Sequence, residues 1–235
     1  MKKNRRVMLK LSGEALAGDK HTGFDLPTVE GVAEEVKTAY DQGVEIAVVI
    51  GGGNFWRGRT GDEIDRVKSD QIGMLATVMN CLYVSEVFRK HGMKTAVFGA
   101  FDIPGMMPVF DKDTVMKALS DNTVVFFAGG TGHPYFSTDS GTALRAIEIE
   151  ADMILLAKAV DGVYDSDPKT NHDAKRFDSI SISEVVERGL KVIDLTASVL
   201  CMENHMPLGV FLLNKEGSIT DALNGKIDGT IVTAD

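Results

Sequence analysis

Cysteine is nearly missing from this chain. Cys81 and Cys201 are its only two, and neither stands in a Cys-x-x-Cys or His-rich spacing. A disulfide framework and a zinc centre therefore have no support, and reduced thiols are expected. Basic charge is also short: 25 Lys and Arg face 34 Asp and Glu, for a formal net charge of -9 and a pI near 5.1. Such a chain exerts no general attraction on nucleic-acid backbones or anionic lipid, so neither nucleic acid nor a membrane is expected as its primary ligand. Long apolar runs are lacking as well. The longest candidates are interrupted by Glu45, Gly99 or Lys158, short of the roughly 20 residues that span a bilayer. The basic start Met1 to Arg6 leads only into Val7 to Leu11, which already contains Lys10 and is too short for an export signal. A soluble, cytoplasmic protein is the expectation.

Several phosphate-site signatures are absent too. No Gly-x-x-x-x-Gly-Lys-Ser/Thr run exists, which excludes a P-loop enzyme. Gly51-Gly52-Gly53 fails Gly-x-Gly-x-x-Gly at Trp56, and Gly130-Thr131-Gly132 fails it at Tyr135, so dinucleotide binding is disfavoured. His-Arg-Asp and Asp-Phe-Gly are missing, which excludes a eukaryotic-type protein kinase.

What is present is an ordinary globular mix of 44% hydrophobic and 25% charged residues over 235 positions. That length suits one large domain or two joined lobes, and no linker or repeat divides it. We expect a single folding unit over 1–235 with a weak boundary near Glu150. Apolar runs at Arg6 to Leu11, Glu45 to Ile50, Thr95 to Phe98, Thr123 to Ala128, Met153 to Ala157 and Leu208 to Leu213 read as buried strands. Between them, Thr28 to Gln42 and Asp70 to His91 carry helical stripes. Ser181 and Ser218 have capping-box spacing ahead of two more helices. Alternation of this kind predicts an α/β fold, a mainly parallel sheet covered by helices on both faces.

In such sheets ligands gather at the carboxyl ends of strands. Three glycine-bearing loops fall there: Leu11-Ser12-Gly13-Glu14, Gly51-Gly52-Gly53-Asn54 and Gly129-Gly130-Thr131-Gly132. Glycine lets backbone N–H groups approach an anion closely, so a phosphorylated ligand is expected. Lys10 sits inside an apolar strand, where an unpaired ammonium is costly and an anion is required. Arg57 follows the triple glycine and can clamp a phosphate. Asp139 begins a helix, a place where an N-cap is one reading. The histidines read as surface residues, His133 alone falling in a candidate site. The methionines Met74, Met79, Met106 and Met107 read as core or interface filler.

Lys10-Leu11-Ser12-Gly13-Glu14-Ala15-Leu16, Gly51-Gly52-Gly53-Asn54-Phe55-Trp56-Arg57-Gly58, Gly73-Met74-Leu75-Ala76-Thr77-Val78-Met79-Asn80 and Gly130 through Asp139 resemble the bacterial UMP kinases, a branch of the amino acid kinase superfamily. The resemblance runs from Arg6 to Val232 and implies a three-layer α/β/α sandwich, assembled as a homohexamer. It implies ATP as co-substrate with Mg²⁺, UMP as acceptor, GTP as activator and UTP as inhibitor. Residues 1–150 would mainly hold the acceptor and 151–235 ATP. By the same resemblance, Lys10, Leu11, Ser12 and Gly13 lie at the ATP phosphates, with Gly53 and Arg57 where the two substrates' phosphates meet. Lys158, Tyr164 and Asp167 hold the adenine nucleoside. Gly52, Asp70, Thr131, Gly132, His133, Pro134, Tyr135, Phe136, Ser137 and Thr138 surround UMP, and Asp139 orients the catalytic Lys10. The loop Gly18, Asp19, Lys20, His21, Thr22, Gly23 is the regulatory segment. No metal ligands are assigned.

Two positions depart from the family pattern. His133 stands where Thr-Gly-Asn-Pro has asparagine, so a side-chain hydrogen bond to UMP is not carried over. His21 stands where another glycine is common, so the regulatory loop is expected to respond differently. A kinase of the same superfamily acting on aspartate, glutamate, acetylglutamate or carbamate is one rival, which the carboxylate of Asp70 disfavours. A non-catalytic anion binder on the same fold is another, and fold alone does not exclude it.

Overall fold

The computed structural model describes residues 5–56, 64–168 and 170–234. Its strands are β1 (Arg6–Leu11), β2 (Glu45–Ile50), β3 (Lys94–Gly99), β4 (Thr123–Ala128), β5 (Met153–Lys158), β6 (Ser179–Ser181), β7 (Leu208–Leu212) and β8 (Gly229–Thr233). They form one sheet in the order β3-β4-β2-β1-β5-β7-β8-β6, and every neighbouring pair is parallel except β7 with β8. All six apolar runs read from the sequence are strands. The two it did not show, β6 and β8, are broken by polar residues. In β8 the buried Thr230 and Val232 alternate with Ile231 and Thr233, and Thr230 carries a hydroxyl where a strand core is normally apolar.

The helices are α1 (Gly13–Leu16), α2 (Leu26–Asp41), α3 (Arg66–Lys90), α4 (Lys112–Ser120), α5 (Thr138–Glu148), α6 (Ile182–Glu187), α7 (Leu195–Glu203) and α8 (Ser218–Leu223). Because successive strand residues face opposite sides, β1 divides its side chains between two cores. Val7, Leu9 and Leu11 pack with α2, α3 and α8. Met8 packs with α4, α5, α6 and α7. Lys10 follows Met8 in this alternation and so emerges on the α5 side. The three layers expected from the sequence are thus present.

Helix ends show two differences from the sequence reading. Ser181 accepts the Glu184 backbone N–H at 3.1 Å, as its capping box predicts. Ser218 is not a cap; the position before α8 is Gly217, with φ +77°. The exposed N–H groups of Gly217, Ile219 and Thr220 are instead taken by the Glu35 carboxylate on α2. A carboxylate suits the positive end of a helix, and long-range capping of this kind leaves no local spacing to read. Asp139 is not a cap either. Ser137 occupies that position and accepts from the N–H groups of Asp139 and Ser140, which frees the Asp139 carboxylate.

Helix α3 corrects a further expectation. Its 25 residues are long and apolar enough, by length and composition, to cross a membrane. Half of its most apolar stretch is buried in the fold, and it buries Ser69, Thr77, Asn80 and Ser85 among the apolar side chains. It is a core helix of the sheet's α2 side.

Strand order reverses at β1, which has β2 on one side and β5 on the other. A crevice at the carboxyl ends of strands is expected at such a switch point. Lys10 pairs in register with Val49 and Leu156 there, one residue before the chain leaves the sheet.

Candidate active site

Three charged groups meet at this crevice. Lys10 Nζ lies 2.8 Å from Asp139 Oδ1, with both side chains four-fifths or more buried. Lys158, the last residue of β5, donates its ammonium to the Val192 carbonyl. Burial alone would raise the Asp139 pKa, but Lys10, and then Lys158, hold it below the usual carboxylate value. Burial lowers the Lys158 pKa; Asp139 opposes that shift and Lys10 adds to it. The arrangement is two cations around one carboxylate, with Lys158 bordering open cavity space. Such a cluster attracts and spreads the charge of a polyanion.

The glycine loops pack directly on this cluster. A Cβ at Gly13 would lie 2.2 Å from the Gly51 carbonyl and 2.4 Å from Asn54 Oδ1, so only glycine allows the loops after β1 and β2 to touch. Their junction is held by a reciprocal amide pair. Asn54 Nδ2 donates to Asn80 Oδ1 at 2.9 Å, and Asn80 Nδ2 donates to Asn54 Oδ1 at 2.8 Å. Asn80 also donates to the Gly51 carbonyl, and Asn54 to that of Gly23. Both asparagines are buried, and the sequence offered no sign of their pairing beyond two polar letters. Leu11 is buried, Ser12 half-buried, and Gly53 would place a Cβ against Glu14. Arg57 lies outside the described residues.

On one side of the cluster is a cleft lined by Gly52, Trp56, Asp70, Gly73, Met74 and Thr77, with Gly129 to Thr131, His133 and Phe136 to Thr138 opposite. It gathers most of the residues assigned to the acceptor. Asp70 Oδ2 accepts from Arg66 Nε and from the Tyr135 backbone N–H, each at 2.8 Å. The Thr77 hydroxyl, turned by its bond to the Met74 carbonyl, receives the Gly129 N–H. His133 is exposed, and Gly132 and Pro134 complete the turn between Thr131 and Tyr135.

On the other side, Lys158 borders two adjoining cavities of about 520 Å³ each. One is walled by Val160, Gly162 to Pro168 and Arg188 to Val192, and so holds Tyr164 and Asp167. The other includes Asp139, Asp194 and Leu195. Lys158 thus stands where the cavities meet, beside Asp139, and not only along a nucleoside wall. Tyr164 donates its hydroxyl to Asp161 Oδ1 at 2.7 Å, which fixes the ring edge.

Asp194 was not read from the sequence. Its carboxylate caps α7 through the Ala197 N–H and accepts from Ser137 and Ser140, while its backbone supports the charged form of Asp139. It joins the start of α5 to the start of α7. Among the described residues, the loop Gly18 to Gly23 meets the site through its end: Thr22 Oγ1 and Gly23 N both donate to the Asn54 carbonyl. His21 has φ +60°, the conformation glycine adopts without cost.

A parallel sheet with glycine loops at its switch point and a Lys–Asp–Lys cluster between two cavities defines a phosphotransferase-type α/β protein. Residues 5–211 match the family model described as the amino acid kinase family. The chain is 47% identical over 233 residues to a uridylate kinase of Pediococcus pentosaceus, covering 98% of this chain and 97% of that protein. Among solved structures, UMP kinase from Bacillus anthracis superposes with TM-score 0.94 at 34% identity, covering 100% of this chain and 98% of that one. UMP kinase from Ureaplasma parvum does so with TM-score 0.93 at 36% identity, covering 98% and 99%. This chain belongs to the amino acid kinase family, in its bacterial UMP kinase branch.

Proposed function

We propose that the protein is an ATP-dependent UMP kinase, transferring the γ-phosphoryl of ATP to UMP and releasing ADP and UDP for pyrimidine nucleotide synthesis. The observation that carries this reading is the Lys10–Asp139–Lys158 cluster standing between the cleft lined by Asp70 and the 129–138 loop and a separate two-part cavity. An oxygen of the UMP phosphate bonds to the γ-phosphorus as the bond to the ADP oxygen breaks. UMP already presents an anionic oxygen, so no strong general base is required, and catalysis consists of in-line placement and charge neutralisation.

Lys10 meets the transferring group, oriented by Asp139. Lys158 adds charge from the ATP side, and Ser12, Gly13 and Gly53 offer backbone N–H groups to the phosphates. Tyr164 and Asp167 flank the adenosine. Gly52, Asp70 and residues 131–138 enclose UMP, where a carboxylate at Asp70 suits ribose hydroxyls and repels an amino-acid carboxylate. Among the described residues no group of three or more His, Cys, Asp or Glu forms a metal cage. Asp139 and Asp194, the carboxylates lining one ATP-side cavity, would hold Mg²⁺ together with nucleotide phosphates and water. Bound there, Mg²⁺ would neutralise phosphate charge.

The same reading includes a soluble cytoplasmic homohexamer, activated by GTP through the Gly18–Gly23 segment and inhibited by UTP at the UMP cleft. An effector shifts such an assembly only by binding its states unequally. ADP release measured over UMP, CMP, AMP, aspartate and acetylglutamate tests the reaction. UMP should be turned over far faster than the others; turnover of an amino acid with none of UMP would refute it. UTP inhibition should be competitive with UMP and weakened by Asp70→Asn.

A further inference from the structure

We infer that Arg66 is a positioning residue for acceptor recognition: it fixes Asp70 and clasps the 131–136 loop over the cleft, and thereby sets discrimination at the ribose. The inference rests on the reading of this cleft as the UMP site.

Arg66 does not line the cleft. It stands one turn before Asp70 on α3, and its Nε is 2.8 Å from Asp70 Oδ2. The same Oδ2 receives the Tyr135 N–H from the opposite wall, at 2.8 Å. One oxygen of Asp70 is therefore saturated by protein donors. Among the described residues no hydrogen bond engages the other, Oδ1, leaving it for a ligand hydroxyl. A carboxylate held this way offers one acceptor in one orientation, and little rotamer freedom remains to be lost on binding.

Arg66 also reaches the 131–136 loop. Its guanidinium lies over the Tyr135 ring, 5.4 Å from the centroid. Tyr135 has φ +71° and is 65% exposed. A non-glycine residue in the left-handed region costs energy unless neighbouring contacts hold it, and here those contacts are the Asp70 carboxylate and the Arg66 guanidinium. One arginine thus closes a three-part clasp from α3 to the loop after β4.

Charge gives Arg66 a second effect. A bare carboxylate in a cleft that receives a phosphate monoester would repel it, and an adjacent guanidinium cancels that repulsion while leaving Oδ1 as an acceptor. Lysine would supply the charge without the planar donor or the stacking.

The test is steady-state kinetics of the full chain with UMP and dUMP at saturating ATP, for wild type, Arg66→Ala, Arg66→Lys and Tyr135→Ala, with a thermal melt of each. Arg66→Ala should raise KM for UMP about tenfold, a change worth about 1.4 kcal/mol, and KM for dUMP less than threefold. kcat and KM for ATP should stay within about twofold. Arg66→Lys should recover part of the UMP affinity but less of the UMP/dUMP ratio, and Tyr135→Ala should raise both KM values together. An unchanged UMP/dUMP ratio in Arg66→Ala, with wild type turning over UMP, overturns the inference alone. A ratio preserved while the melt falls sharply makes Arg66 structural and also overturns it. Wild type inactive on UMP overturns the reading of the cleft, and the inference with it.

Discussion

Lys10 on β1 and Asp139 in the first turn of α5 meet with Nζ 2.8 Å from Oδ1, so a strand cation is aimed by a helix carboxylate from the neighbouring layer. Ser137 makes this possible by taking the capping role. Lys10→Ala should lower kcat by about 10² to 10³, the usual loss when one preorganised charge is removed from a transition state. Asp139→Asn should be similarly damaging, because it releases Lys10 and removes the counter-charge of Lys158. A Lys10→Ala enzyme with near-normal kcat and only weaker ATP binding would show that the lysine merely docks ATP.

Titration of the cluster gives a second expectation. The Lys158 pKa is lowered from 10.5 by burial, and the proposed function uses its charge, so activity should fall as pH rises through a value below that of an ordinary lysine. The alkaline limb of kcat/KM for ATP should therefore lie below 10.5 and move upward in Lys158→Arg, whose cation does not titrate in this range. An unmoved limb would assign the ionisation elsewhere. For stability the sign differs: between its folded and unfolded values Lys158 holds more protons unfolded, so its contribution grows with pH across that window. The lowered Asp139 contributes stability above the ordinary carboxylate value and loses it as pH falls through its folded value.

The Asn54–Asn80 pair should be felt in stability first. Asn80→Ala leaves the Asn54 amide and the Gly51 carbonyl without their partner in a buried junction, at a cost of about 2 to 3 kcal/mol. Chemical denaturation should show this loss, and the double variant with Asn54→Ala should cost less than the two single changes added. Strict additivity would mean the amides do not act as a unit.

Gly13→Ala probes the same junction from the backbone. Its Cβ would strike the Gly51 carbonyl and Asn54, forcing apart the two loops to which the proposed function assigns both ligands' phosphates. Activity should drop at least tenfold while the circular-dichroism spectrum stays that of the parent. Unimpaired turnover would show that the loop spacing is not critical.

Much of this was legible because local patterns carried it. Apolar runs gave six of the eight strands, and a lysine inside one of them demanded an anion. The motif match supplied Asp139 and the acceptor wall. What was not legible depends on partners distant in sequence. Glu35 caps α8 from 182 residues away, Asp194 joins two helix starts that share no motif, and Asn80 reads as an ordinary polar residue of α3. The β8 strand hides its burial behind a threonine whose hydroxyl is fully satisfied by Val163 and Phe177.

Assembly supplies the last prediction. On α3, Ile72, Leu75 and Met79 are 39%, 51% and 47% exposed, and spacings of three and four residues place them on one face. Phe24 continues the apolar surface nearby, stacked on Tyr83 of the same helix and edge-on to Phe55. Exposed apolar side chains grouped this way mark an interaction surface, and the proposed homohexamer gives it a second copy to meet. The opposite side of α3 carries Gly73, Met74 and Thr77 into the acceptor cleft, so contact on one side should steady the other. Leu75→Glu should lower the particle mass seen by light scattering and raise KM for UMP, with less change in KM for ATP, whose proposed cavities lie across the sheet from α3. A variant of unchanged mass and unchanged KM would remove this face from the assembly and leave the kinase reading standing, because no group that meets a phosphate lies on it.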